Sequence, residues 1–97
     1  MQIYITETIA RKLKEKHNVS EAEVMQCFEN KTGKFAQDTR AEHQTDKPTV
    51  WFIAETDNKR RLKVVFVRYS KTEYVLKSAF EPSAEEERLY EKYLKRG

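Results

Sequence analysis

Three runs rich in β-branched and aromatic residues, TVWFIAET (49–56), RLKVVFVRYS (61–70) and EYVLKSAFE (73–81), lie almost end to end in the second half of this chain. Side chains in such runs suit a pleated, half-buried surface. The links between them, DNKR and SKT, are too short for a crossover connection, so neighbouring runs must pair antiparallel as a meander. Successive side chains of a strand point to opposite faces, which divides the runs into two sets. Val50, Phe52 and Ala54, Leu62, Val64 and Phe66, and Leu76, Ser78 and Phe80 make one nearly apolar face, expected to pack on helices. Trp51, Ile53 and Glu55, Lys63, Val65, Val67 and Tyr69, and Val75, Lys77, Ala79 and Glu81 make the other, expected to be less covered.

The flanking segments read as helices. QIYI near the N-terminus alternates like a short strand. TETIARKLKEKH then starts a helix at Thr6 or Thr8, with Ile9 and Leu13 four apart on one face and lysines near its end. In VSEAEVMQCFEN, Ser20 and Glu23 form a capping box, with Val19 and Val24 placed as a hydrophobic staple. Asn30 or Gly33 can end this helix. Residues 34–48 form a long connection that includes a candidate edge strand, KFAQD, and a connection of this length in a small domain often carries function. Pro82 and Ser83 open the last helix, SAEEERLYEKYLKRG, where Ser83 and Glu86 repeat the capping box. With 97 residues there is room for one core. The expected fold is α+β: two N-terminal helices, an antiparallel β-meander of three to four strands, and a C-terminal helix.

Composition narrows the chemistry. The single Cys27 leaves no internal disulfide, and with two histidines it falls short of a usual structural zinc set. No glycine-rich phosphate loop or nucleophile elbow occurs, so neither cofactor nor metal is expected. The sequence has no apolar run of transmembrane length, and MQIYITET lacks a signal-peptide core, so a soluble cytoplasmic protein without membrane contact is expected. A net charge of +3 and a pI near 9.0 permit an anionic partner without requiring one.

The candidate site residues follow from the less covered face and the loop that leads into it. His43 in DTRAEHQTD suits proton transfer near neutral pH, with Arg40 and Glu42 beside it. An arginine holding phosphate charge while a histidine or glutamate moves a proton suffices for metal-independent RNA cleavage. Glu55 is a second candidate base, Lys63 a second phosphate ligand, and Trp51 a base-stacking surface with Arg68 and Lys77 as further RNA contacts. The plainer reading of the same residues stands beside this one. His43 would then be a solvated loop side chain, Glu55 a hairpin-end residue paired with Lys63, and Lys77 and Glu81 members of cross-strand charge pairs. His17 sits at a helix end and Cys27 beside Phe28, where both read as structural. Tyr90, Tyr93 and Leu94 read as a stripe docking the last helix on the sheet.

The segments KEKHNVSEAEVMQCFEN, RLKVVFV and KSAFEPSAEEERLYEKY, in this order, resemble the BrnT family of type II toxins, across roughly residues 14 to 93. That family shows a related K-H-G-I-S…E-A…V-F segment, a basic turn into a hydrophobic strand, and S-A-R before a charged last helix carrying a tyrosine. The resemblance implies a RelE-like fold, a ribonuclease activity that halts translation, and neutralisation by a cognate DNA-binding antitoxin, as a homodimer or a hetero-oligomer with it. The chain departs from the family in having Phe80 where arginine follows Ser-Ala, which leaves Arg40, Lys63, Arg68 and Lys77 to supply charge. It also resembles short proteins labelled ADP-ribosyl-dinitrogen reductase hydrolases, although the two-metal carboxylate site of such hydrolases has no counterpart here. The rival expectation is a non-catalytic module that binds a protein partner through the same face and the 34–48 loop.

Overall fold

A computed structural model describes residues 1–37 and 47–95 of the chain. The elements run β1 (Gln2–Tyr4), α1 (Glu7–Lys12), a π-helical turn (Leu13–His17), α2 (Glu21–Asn30), β2 (Ala36–Gln37), β3 (Thr49–Glu55), β4 (Arg61–Arg68), β5 (Glu73–Phe80) and α3 (Ala84–Lys95). The strands form one sheet in the order β1-β5-β4-β3-β2. The class is α+β, as expected, and β3-β4-β5 is an antiparallel meander. The sheet is larger and mixed, because β1 joins parallel to β5 and β2 adds a two-residue antiparallel edge to β3.

Local signals place the helix starts. The Thr6 hydroxyl accepts the Ile9 N–H at 3.2 Å. Ser20 and Glu23 close a reciprocal capping box, and Val19 and Val24 are both buried, as a staple requires. Ser83 and Glu86 close the second box at 2.9 and 3.1 Å. After α1 the helix widens to a π turn and ends at Asn18, whose φ of 53° is left-handed, a conformation that asparagine tolerates well.

The hairpin between β3 and β4 is anchored by Thr56 and Arg60. The Thr56 N–H donates to the Arg60 carbonyl at 2.8 Å, and Lys59 takes the left-handed position with φ 68°. Arg60 ties this turn to three other elements. Its guanidinium donates to the carbonyls of His17 and Asn18 at 3.0 and 2.8 Å, and to the carboxylates of Glu23 and Glu81 at 3.1 and 2.9 Å.

The inner face, which carries α1 and α2, is apolar as expected on β3 and β4. Phe28 of α2 lies 4.9 and 5.4 Å from the Phe52 and Phe66 rings. On β5 the expected division of faces holds only up to Leu76. Val65 pairs with Ser78 but Phe66 pairs with Leu76, so Lys77 is a bulge residue that shifts the alternation by one. Ala79 is consequently buried in the core, while Ser78 and Phe80 pass to the outer face and are half-buried.

The outer face is also more covered than the sequence pattern suggests. Helix α3 crosses the part nearest the β3-β4 hairpin and seats Tyr90 against Trp51 at 5.4 Å. Trp51 and Ile53 are thereby 8% and 4% exposed. Beyond α3 no other described element covers the outer face. Tyr4 lies opposite Val75, and Val75 opposite Val67, with Tyr4 and Tyr69 45% and 52% exposed.

Candidate functional site

An open cleft of about 680 Å³ lies where the end of β3, the hairpin, the segment after α2 and α3 meet. Glu55 and Arg61 face each other across the strands at its floor. The Arg61 fork is held by both oxygens of Glu87 at 2.7 and 2.8 Å, a bidentate geometry that strengthens the ion pair. The Glu55 carboxylate acts electrostatically on Arg61, and among the described residues it makes no hydrogen bond or ion pair.

Tyr90 forms the wall under α3. Its hydroxyl donates to the Lys34 carbonyl at 2.8 Å and lies on the side of the Ile53 N–H. Burial pushes its pKa up, opposed by that N–H and by Arg61. Gly33 permits this arrangement, since a Cβ there would stand 2.7 Å from both the Tyr90 hydroxyl and a Leu94 methyl. One row further along the outer face, Lys63 donates to Glu86 at 2.8 Å and stands 4.5 Å above the Trp51 indole. Burial raises the Glu86 carboxyl, but Lys63 and the Ser83 N–H outweigh it and hold the group below its ordinary value.

These facts correct the pairing expected for Glu55. Its register partner is Arg61, because the turn closes at Thr56 and Arg60, and Lys63 is paired with α3 instead. Lys77 and Glu81 do not join cross-strand pairs with Glu55 or Lys63: Glu81 binds Arg60 of the hairpin, and Lys77 is an exposed bulge residue.

Among the expected site residues, Trp51, Glu55 and Lys63 therefore share the outer face. Arg68 does not join them. Its register partner is the buried Tyr74, which puts it at the rim of the inner face. Arg40 and His43 lie outside the described residues. The residues bracketing their segment, Gln37 and Lys47, flank the start of β3, about 20 Å along the strand from Glu55 at 3.3 Å per residue. His17 packs on Phe80 at 5.6 Å. Cys27 is fully buried, and desolvation pushes its thiol up to about 11, which suits core packing and disfavours a nucleophile.

Arg61 and Glu87 were not singled out from the sequence. Odd-numbered residues of β3 and β4 share the outer face, so a three-residue loop would have placed Arg61 opposite Glu55. Nothing local would have paired Glu87 with it, since that contact depends on where α3 docks. Among the described residues no three His, Cys, Asp or Glu side chains are placed to hold a metal ion, and no helix is long and apolar enough to cross a membrane. The sequence matches no protein-family model and no curated protein.

Proposed function

We propose that the chain is the toxin component of a type II toxin–antitoxin pair, acting in the cytoplasm as a metal-independent ribonuclease and neutralised by a cognate antitoxin protein. The supporting observation is the Glu55 carboxylate in an open cleft, opposite Arg61 in the ladder and, among the described residues, without a hydrogen-bond or ion-pair partner. In this reading Glu55 takes the proton of an RNA 2′-hydroxyl, whose oxygen attacks the adjacent phosphorus. The P–O5′ bond breaks, a 2′,3′-cyclic phosphate forms, and the leaving 5′ oxygen takes a proton from water. Arg61 stabilises the charge that gathers on the phosphate oxygens. Arg40 and His43, which lie outside the described residues, are kept as candidates for the same work on their chemistry alone.

A specific observation favours a second reading, a non-catalytic module for a protein partner. Tyr4 and Tyr69 are exposed on the part of the outer face beyond α3, in line with the half-buried Val65, Val67 and Val75, and apolar strips of this kind are common at protein interfaces.

Inducible expression in a bacterium of the native chain and of Glu55→Ala, Arg61→Ala and His43→Ala separates the two. Growth arrest with loss of bulk RNA, relieved by Glu55→Ala, is the expected result. Normal growth and intact RNA with folded native protein would sink the ribonuclease and leave the module.

A further inference from the structure

The cations of the outer face that lie beneath α3 are each capped by a carboxylate of α3. Glu87 meets Arg61 with both oxygens, in the fork geometry that a guanidinium also offers to a phosphate. Glu86 meets Lys63, whose ammonium rests on the Trp51 indole. Together these side chains present two cations and one aromatic ring, the set that binds a single-stranded phosphodiester chain. Here carboxylates stand in the phosphate positions and Tyr90 covers the ring.

The helix that supplies them has few apolar anchors, Tyr90 buried and Tyr93 partly buried against the core. Of the twelve residues of α3, Tyr90 alone is buried, and Leu89 and Leu94 are exposed. Its capping box is internal, between Ser83 and Glu86, so the start of the helix does not depend on the sheet. Its connection to β5 runs through Glu81, fixed by Arg60, and through Pro82, which has no N–H to add to a ladder. A helix with its own cap, an anchored hinge and charged contacts can lift as a unit when the charges are screened or replaced.

We propose that α3 is an autoinhibitory strap: Glu86 and Glu87 occupy the phosphate seats on Lys63 and Arg61, and a single-stranded phosphodiester ligand displaces them and uncovers Trp51. The proposal rests on the RNA reading above and adds the regulation of that site.

Trp51 is the only tryptophan, so its emission reports the strap directly. In the Glu86→Gln/Glu87→Gln protein, glutamine still serves the capping box but the ion pairs are gone. The expected result is red-shifted emission, greater quenching by acrylamide, and several-fold tighter binding of a fluorescein-labelled 2′-O-methyl oligonucleotide, which cannot be cleaved. The native protein should show the same red shift as salt rises to about 1 M, where charge interactions reach only a few ångströms, with an unchanged far-ultraviolet spectrum. This salt titration stands alone if the double variant fails to fold.

Trp51 that stays blue and protected under both conditions overturns the strap. Trp51 that is uncovered without any gain in oligonucleotide binding overturns it as well. Cleavage is scored separately on unmodified RNA. Oligonucleotide binding that tightens in the variant while native protein leaves RNA intact keeps the strap and ends the ribonuclease reading. Cleavage by the native protein with no change at Trp51 does the reverse.

Discussion

The two faces of the sheet are built from different materials. The inner face is a cluster of rings: Phe28, Phe35, Phe52, Phe66 and Tyr74 lie with neighbouring centroids 4.8 to 6.2 Å apart, and Phe52 and Phe66 are wholly buried. The outer face under α3 has one tryptophan and one tyrosine in contact, flanked by the pairs Lys63–Glu86 and Arg61–Glu87. Burial of apolar surface scarcely depends on pH or salt, whereas partly exposed ion pairs depend on both. The inner face should therefore set whether the chain folds, and the outer face whether α3 is seated.

The largest expected effect tests the first half of that statement. Phe66 touches all four of the other rings of the cluster. Phe66→Ala should cost about 3–5 kcal/mol, through lost burial and an unfilled cavity. Denaturant unfolding followed by far-ultraviolet dichroism measures it. A loss below about 1 kcal/mol would mean that the cluster does not govern folding.

Arg60 comes next, because it serves the inner face by polar means. It joins the hairpin to the end of the π turn, the start of α2 and the exit of β5. Removing it leaves the His17 and Asn18 carbonyls without this donor, and Arg60→Ala should cost about 2 kcal/mol. Arg60→Lys should recover little of it, since an ammonium cannot span four acceptors in the geometry of the fork. Trp51 emission in the folded state should be unmoved by either change. A shift there would show that the two faces are coupled through the hairpin.

What was legible in the sequence follows the same division between local and distant causes. The capping boxes at Ser20 and Ser83 and the hairpins between β3, β4 and β5 depend on residues a few positions apart, and each appears where the pattern puts it. The inner faces of β3 and β4 follow from period-two alternation. The bulge at Lys77 does not, because nothing in EYVLKSAFE marks which residue leaves the ladder, and one skipped residue exchanges Ala79 with Ser78 and Phe80. Pairing of β1 with β5 joins residues about seventy apart in the chain and has no local signature. For the site, Trp51, Glu55 and Lys63 could be placed on one face from alternation alone. The partners of Arg61 and Lys63 could not, since they depend on which side of the sheet α3 takes.

Gly33 tests the seat of α3 by volume. In Gly33→Ala the new methyl would stand 2.7 Å from the Tyr90 hydroxyl and a Leu94 methyl, too close to persist. Leu94 is at the exposed end of the helix and can yield, but Tyr90 must give up its bond to the Lys34 carbonyl. The expected cost is about 1 kcal/mol, at the lower end for overpacking, with red-shifted Trp51 emission and an unaltered inner face. Unchanged emission would mean that α3 accommodates the methyl without leaving its seat.

Acid tests the seat by charge, with the smallest effect and the sharpest contrast. Glu23 is held below the ordinary glutamate value of 4.5 by the Ser20 N–H first, against desolvation, and then by Arg60. For Glu86, desolvation acts upward, but Lys63 and Ser83 bring it below the same value. A carboxyl with a depressed folded pKa contributes stability that is fully present above its unfolded value, and that contribution is lost as pH falls through the folded pKa. Both contributions therefore hold above about pH 4.5 and decline below it. Their consequences differ because the surroundings differ. Loss of the Glu23 charge leaves α2 packed through Val24, Cys27 and Phe28, whereas loss of the Glu86 charge leaves α3 with Tyr90 as its one buried residue. On titration below pH 4.5, Trp51 emission should move to the red before the helical signal falls. A single coincident transition would mean that α3 is bound into the same cooperative unit as the aromatic core, and the distinction between the faces would then be one of composition alone.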